Sequence, residues 1–172
     1  MFLPDLKYSH IAVIGLGYVG LPLCIEFART KNCIRTNKEL IRRITGFDLN
    51  KERINSLKNN FDITGEITSN ELKENKHVIF TSDESDLKSA DVFIVTVPTP
   101  IDDAKRPDIK PIKMACETIG KAINLRSKEK ESCPIIIFES TVYPGLTEEV
   151  CVKIIEEFSS LKFNIISNKG FV

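Results

Sequence analysis

Ile11-Ala12-Val13-Ile14-Gly15-Leu16-Gly17-Tyr18-Val19-Gly20 is the stretch that decides the fold. Four apolar residues run into three glycines spaced GxGxxG, and a helical pattern follows from Leu21 to Ala28. A short apolar run closed by glycine reads as a buried strand. Pro22 is tolerated because it falls in the first turn of the helix. Each glycine then has a task. Gly15 permits a tight turn, Gly17 lets the backbone approach a pyrophosphate, and Gly20 lets helix and strand pack closely. The helix start offers unpaired N–H groups and the positive end of its dipole to phosphate. Taken alone, GxGxxG is a weak signal, and a plain glycine-rich turn is the competing reading. An acid ending the next strand separates the two readings.

Asp48 is that acid. It closes the strand-like run Ile44 to Asp48, ahead of a helix over Lys51 to Leu57 with Asn50 as its N-cap. A carboxylate there accepts from ribose hydroxyls and repels a 2′-phosphate, which favours NAD over NADP. The competing reading of Asp48 is a loop or cap residue. Arg53, one turn further, flanks the ribose or adenine, or else is a solvated helix residue. One feature departs from the fingerprint. Asp48 lies 28 positions beyond Gly20, where about 20 is usual. The excess is the polar, basic stretch from Thr30 to Arg43, read as a lengthened helix or an inserted surface loop.

Further along, strands are expected at His77 to Thr81, Asp91 to Val97 and Pro134 to Phe138. A short helix or turn covers Asp83 to Lys88. A helix over Pro111 to Leu125 places Ile112, Ala115, Cys116, Ile119, Ala122 and Ile123 on one face. Thr147 is expected to cap a last helix with Val150, Cys151, Ile154, Ile155 and Phe158 as its apolar stripe. Almost wholly apolar strands alternating with helices imply an α/β fold, a mostly parallel sheet covered on both faces.

Composition excludes several classes. The 172 residues suit one domain. Lys plus Arg and Asp plus Glu each count 24, so net charge offers no case for nucleic acid or an anionic membrane. No apolar run has the length of a membrane span, and Met1 to His10 lacks a signal-peptide pattern, so a cytoplasmic protein is expected. Cys24, Cys33, Cys116, Cys133 and Cys151 form no CxxC pair, which argues against a disulfide framework or a zinc site.

Four segments together resemble the UDP-glucose/GDP-mannose dehydrogenase family, with the flavour of bacterial UDP-N-acetylhexosamine 6-dehydrogenases. They are Ile11 to Phe27, Thr45 to Ile54, Val97-Pro98-Thr99-Pro100-Ile101-Asp102 and Glu139-Ser140-Thr141-Val142-Tyr143-Pro144-Gly145. A 3-hydroxyacid type of dehydrogenase would not carry both of the last two loops. The resemblance implies a Rossmann-like, doubly wound domain that uses NAD. The enzyme would oxidise the C6 alcohol of a UDP-sugar to a carboxylate. By similarity, Gly15, Gly17, Tyr18 and Val19 hold the pyrophosphate, while Asp48 and Arg53 hold the ribose. Thr99 meets the cofactor, and Thr141 positions a catalytic water. Read without the resemblance, Thr99 shapes a turn and Thr141 is a turn hydroxyl bonding its own backbone. Glu139 stands equally as a site acid or a turn cap.

The same resemblance implies residues not found here: an SPE-type motif, a lysine, an asparagine and a nucleophilic cysteine. Residues 1–164 are therefore read as the NAD-binding domain, with an insertion at about 30–43. Residues 165–172 are read as a divergent tail, and the central helix and substrate domain as absent. The expected chain is inactive alone and has a sheet incomplete at its C-terminal end. It would associate with itself or aggregate through the exposed edge. A free-standing NAD-binding module and a non-functional gene remnant are the competing accounts.

Overall fold

The computed structural model describes residues 3–100, 107–127, 132–140 and 145–167. Its strands are β1 (His10–Ile14), β2 (Arg43–Phe47), β3 (Ile79–Thr81), β4 (Val92–Val95), β5 (Ile135–Phe138) and β6 (Asn164–Ser167). Its α-helices are α1 (Gly20–Arg29), α2 (Lys51–Lys58), α3 (Ser69–Glu74), α4 (Lys110–Asn124) and α5 (Val152–Phe158). A 3₁₀ turn covers Glu84–Leu87, and a π-helical turn at Thr147–Cys151 leads into α5.

All six strands pair in parallel, in the order β3-β2-β1-β4-β5-β6. β1 is buried along its whole length. Ile11 and Val13 pack on one face with Leu21, Cys24 and Ile25 of α1 and with Ile54 and Leu57 of α2. Ala12 and Ile14 pack on the other with Ile112, Ala115 and Ile119 of α4 and Ile155 of α5. A strand buried on both faces has no polar face to alternate with, so it reads as a continuous apolar run. The apolar stripe expected on α4 is buried in full.

The register sets the strand ends level. Ile14 lies beside Phe47 and Val95, Phe47 beside Thr81, and Val95 beside Phe138. The ladder runs one step further, through Gly15 N–H to Phe47 O, Asp48 N–H to Thr81 O, Thr96 N–H to Ile14 O and Glu139 N–H to Val95 O. Gly15, Asp48, Thr96 and Glu139 therefore stand in one row at the carboxyl edge. The strand order reverses between β1 and β4, and ligands of such sheets bind outside that point.

Several expectations change. The sheet expected to stop short has its sixth strand, β6, parallel to β5 with Ile136 beside Ile165. The tail from Ile165 therefore continues the fold as far as Ser167; two isoleucines between polar residues make a strand too short to show a period. Helix α3 was not foreseen, although Thr68 and Glu71 form a reciprocal capping box at its start. Thr147 is not the cap: it is buried as the first residue of the turn, whose N-cap position is Leu146, with no side-chain cap. Between α1 and β2 the basic stretch is a surface loop and not a lengthened helix. Asn32 and Glu39 form an antiparallel bridge across it, with Asn37 at φ +52 in the turn. Ile41 N–H donates to Lys7 O, tying this loop to the segment ahead of β1. His10, uninformative in the sequence, is buried, its ring nitrogens 2.9 Å from Ser89 Oγ and 2.8 Å from Thr45 Oγ1.

Candidate functional site

A cavity of about 410 Å³ opens at the level row where the strand order reverses. Gly15, Leu16 and Gly17 line it, with Asp48, Leu49, Asn50 and Arg53 after β2. Ile63 and Thr64, Val97 and Pro98, and Pro111, Met114 and Thr118 complete the walls.

The glycine turn is shaped by two tight positions. Gly15 has φ +94, a left-handed conformation open to glycine at little cost. A Cβ on Gly20 would lie 1.9 Å from Gly15 O and 2.4 Å from Thr96 Oγ1, so any side chain there forces helix and strand apart. Gly17 is open: a Cβ there would meet no protein atom within 4 Å. The tight turn expected at Gly15 and the close packing expected at Gly20 are both present, and Gly17 leaves open space on the cavity wall.

Two successive peptide planes are held by named partners. Leu16 N–H donates to Asp48 Oδ2 at 2.8 Å, while Gly15 O, at the other end of that plane, lies 2.8 Å from the Thr96 hydroxyl. Leu16 O accepts from Arg53 Nε at 2.9 Å. Beyond it, no described residue accepts from the N–H groups of Gly17, Tyr18 or Val19. Tyr18 and Val19 are exposed, and the first turn of α1 carries no acid. Unpaired amides at a helix start with no carboxylate to compete are the elements of an anion site.

Asp48 lies on the same side of the sheet as the glycine turn and is joined to it. Its Oδ1 accepts from Asn50 N–H, and Asn50 caps α2 through Glu52 and Arg53 N–H. An ionised carboxylate has about four acceptor positions, so two remain for a diol.

Of the two readings of Arg53, the solvated helix residue does not fit its burial, and it lines the cavity. Only 8% exposed, it spans α2, the glycine turn and the following loop. Its Nη1 pairs with Asp62 Oδ1 at 2.6 Å and its Nη2 donates to Thr64 Oγ1 at 3.3 Å. Asp62 also accepts from the Thr64 hydroxyl and from Thr64, Glu66 and Ile67 N–H. Burial alone pushes the Asp62 carboxyl up; the Thr64 hydroxyl, Ile67 N–H and Arg53 outweigh it and hold it at about 2.

Thr99 is half-buried just past Val97 and Pro98, outside the cavity wall. Thr141 lies outside the described residues. Its neighbour Ser140 donates to Val97 O at 2.6 Å, so the loops after β4 and β5 start in contact. Glu139 is exposed. Sequence reasoning missed Thr96, Asp62 and Thr64. Thr96 follows β4 directly, and its place level with the glycines comes from the strand register. Asp62 carried a signal only as an Asx-type turn start, Asp-Ile-Thr-Gly, indistinguishable from a surface turn.

A larger cavity, about 600 Å³, lies at the amino-terminal end of the sheet between Leu6, Leu23, Phe27 and the basic loop, with Cys33 on its wall. Among the described residues no three His, Cys, Asp or Glu side chains gather as metal ligands. No helix there is long and apolar enough to cross a membrane.

The parallel order 3-2-1-4-5-6, the glycine turn with free amides and the acid bonded to it define a dinucleotide-binding domain of the Rossmann type. The chain belongs to the UDP-glucose/GDP-mannose dehydrogenase family: residues 9–172 match the NAD-binding domain of that family. It is 46% identical over 159 residues to UDP-N-acetyl-D-glucosamine 6-dehydrogenase of Pseudomonas aeruginosa, covering 92% of this chain and 33% of that protein. Its counterpart in Salmonella typhi is 44% identical over 154 residues, covering 90% and 32%. The chain thus spans about a third of the length of these curated relatives. Among solved structures, UDP-D-ManNAc dehydrogenase of Pyrococcus horikoshii superposes with TM-score 0.71 at 28% identity, covering 92% of this chain and 35% of that one. GDP-mannose dehydrogenase of P. aeruginosa, at 24% identity and TM-score 0.76 over 94% and 36%, shares the fold.

Proposed function

We propose that the cavity between β1, β2 and β4 takes the adenosine diphosphate half of NAD. In this reading the amides of Gly17, Tyr18 and Val19 bind the diphosphate at the start of α1. Asp48 accepts from the ribose hydroxyls. Leu49, Ile63 and Met114, all large exposed apolar side chains on the cavity wall, flank the adenine. Arg53 acts from beneath, on the turn and not on the ribose. Thr99 serves the nicotinamide side, and Thr141, by similarity, positions a water. The observation that carries the reading is the 2.8 Å bond joining Asp48 to Leu16 N–H at the mouth of the cavity. It supports the reading by joining the Asp48 carboxylate to the turn that carries the Gly17, Tyr18 and Val19 amides.

The domain would serve oxidation of the C6 alcohol of a UDP-N-acetylhexosamine to a carboxylate, the substrate class named by the relatives above. Bound NAD supplies the hydride acceptor. The residues of this chain bind and orient it, and among the described residues no cysteine, lysine or histidine lines the cavity. The share of the work assigned to residues 1–164 is therefore binding, with the covalent trapping of an aldehyde left to groups outside them. We place that work in the cytoplasm, where thiols stay reduced, in keeping with the five free cysteines. Self-association through β6, which among the described residues pairs with β5 alone, belongs to the same reading, and sedimentation at rising concentration checks it.

Calorimetric titration of the 172-residue chain tests the assignment. NAD should bind, with NADP at least about tenfold weaker because its 2′-phosphate meets Asp48. No NADH should form from a UDP-sugar. A folded chain giving no heat at millimolar NAD overturns the reading.

A further inference from the structure

We propose that Asp62 is a positioning residue for the dinucleotide: through Arg53 it fixes the peptide plane whose far end is the Gly17 N–H. The inference rests on the cofactor reading above and deepens it. In a trans peptide the C=O and the following N–H point in opposite directions. Leu16 O is held by Arg53 Nε at 2.9 Å on the inner side, so the Gly17 N–H of the same plane points away from Arg53. That N–H has no acceptor among the described residues. Its direction is therefore the direction of one diphosphate contact.

Arg53 can hold Leu16 only if its guanidinium is fixed. Two of its three nitrogens are committed elsewhere, Nη1 to Asp62 at 2.6 Å and Nη2 to Thr64 Oγ1 at 3.3 Å. The Asp62 side chain is 0% exposed and the Arg53 side chain 7%. Asp62 is itself fixed by Thr64, Glu66 and Ile67 N–H, which wrap the turn around the carboxylate. Those three amides would suffice to hold the turn. The contact that reaches across to the glycine loop is the additional one through Arg53. Lysine, whose three donors radiate from a single nitrogen, lacks the planar fork that here holds Leu16 O and Asp62 from separate nitrogens.

The test compares NAD dissociation constants of the wild-type chain, D62N, R53K and the double variant, each at a temperature where circular dichroism shows it folded. D62N and R53K should each weaken NAD about tenfold to a hundredfold. Because both act through one plane, the double variant should be no weaker than the worse single by more than about twofold. ADP-ribose should lose as NAD does, while adenosine, lacking the diphosphate, loses little. Should D62N fail to fold, T64V takes its place with a loss of several-fold. Wild-type affinity in folded D62N or T64V, losses that multiply in the double variant, or equal losses for adenosine and ADP-ribose would each overturn the proposal. A second readout needs no cofactor. Exchange of the Leu16 amide, slow while bonded to Asp48, should speed up about tenfold in D62N as the turn loosens. Unchanged exchange overturns the positioning role even if NAD does not bind at all, an outcome that would itself sink only the cofactor reading.

Discussion

Replacing Gly20 by alanine sets two physical rules against each other. Gly20 opens α1, and alanine in a helix is favoured over glycine by about 1 kcal/mol. At this position the added Cβ would sit 1.9 Å from Gly15 O and 2.4 Å from Thr96 Oγ1, where ordinary contact begins near 3.4 Å. Neither neighbour can yield cheaply. Gly15 O is backbone at φ +94, and the Thr96 hydroxyl is the group bonded to it. Overpacking of this kind costs up to about 3 kcal/mol, and the lost Thr96 contact adds about 1. After the helix gain, G20A should lose about 3 kcal/mol, which for a chain of this size is a fall in Tm of roughly 6–12 °C. The turn must also shift by more than an ångström, misaiming the free amides, so NAD affinity should drop about tenfold to a hundredfold. Thermal unfolding followed by circular dichroism, with calorimetric NAD titration of the folded variant, measures both. A G20A chain as stable as wild type, or more so, with its NAD affinity intact would refute the close approach of α1 to the glycine turn.

Further outcomes follow from other groups. D48A should weaken NAD about tenfold or more and narrow its advantage over NADP, because it removes both the diol acceptor and the charge facing a 2′-phosphate; competition titration reads the ratio. Asp62, held at about 2 against an ordinary 3.8, contributes stability that is complete above its unfolded pKa. That contribution, about 2 kcal/mol, is lost as pH falls from near 4 towards 2, so urea unfolding should show a slope there that D62N lacks. Cys33 is lowered by hydrogen bonds from the Thr36 side chain and from Thr36 and Arg35 N–H, whereas burial pushes Cys24 up to about 12. Iodoacetamide should therefore modify Cys33 well before Cys24, as peptide mass mapping will show.

How legible the fold was depended on where each signal came from. Strands β1, β2 and β4 are buried on both faces and β5 on one with the other half-buried, so sequence alone exposed them as apolar runs, and the glycine turn advertised its own geometry. Asn50 was legible as a cap because capping is local; it accepts from Glu52 and Arg53 N–H as expected. The same rule would have found α3 from Thr68 and Glu71, a signal present and overlooked. β6 was illegible because four residues cannot display a period, and only β5 beside it makes them a strand. In the site, Asp48 was readable from its place after β2. Asp62 was not, because its importance comes from Arg53 arriving nine positions earlier in the chain and from Leu16 arriving from another element. Thr96 needed the level register of β1 and β4, which spacing along the chain does not encode.

The loop between α1 and β2 stands at the amino-terminal end of the sheet, while Asp48 and Gly15 meet at the other. Extra residues in that loop lengthen the path between glycine and acid without moving either, since five rungs from His10 beside Arg43 to Ile14 beside Phe47 lock the two strands together. A dinucleotide fingerprint counted in residues is therefore elastic, whereas one counted in rungs is rigid. Lengthening or shortening that loop should therefore leave the distance in space between the glycine turn and Asp48 unchanged.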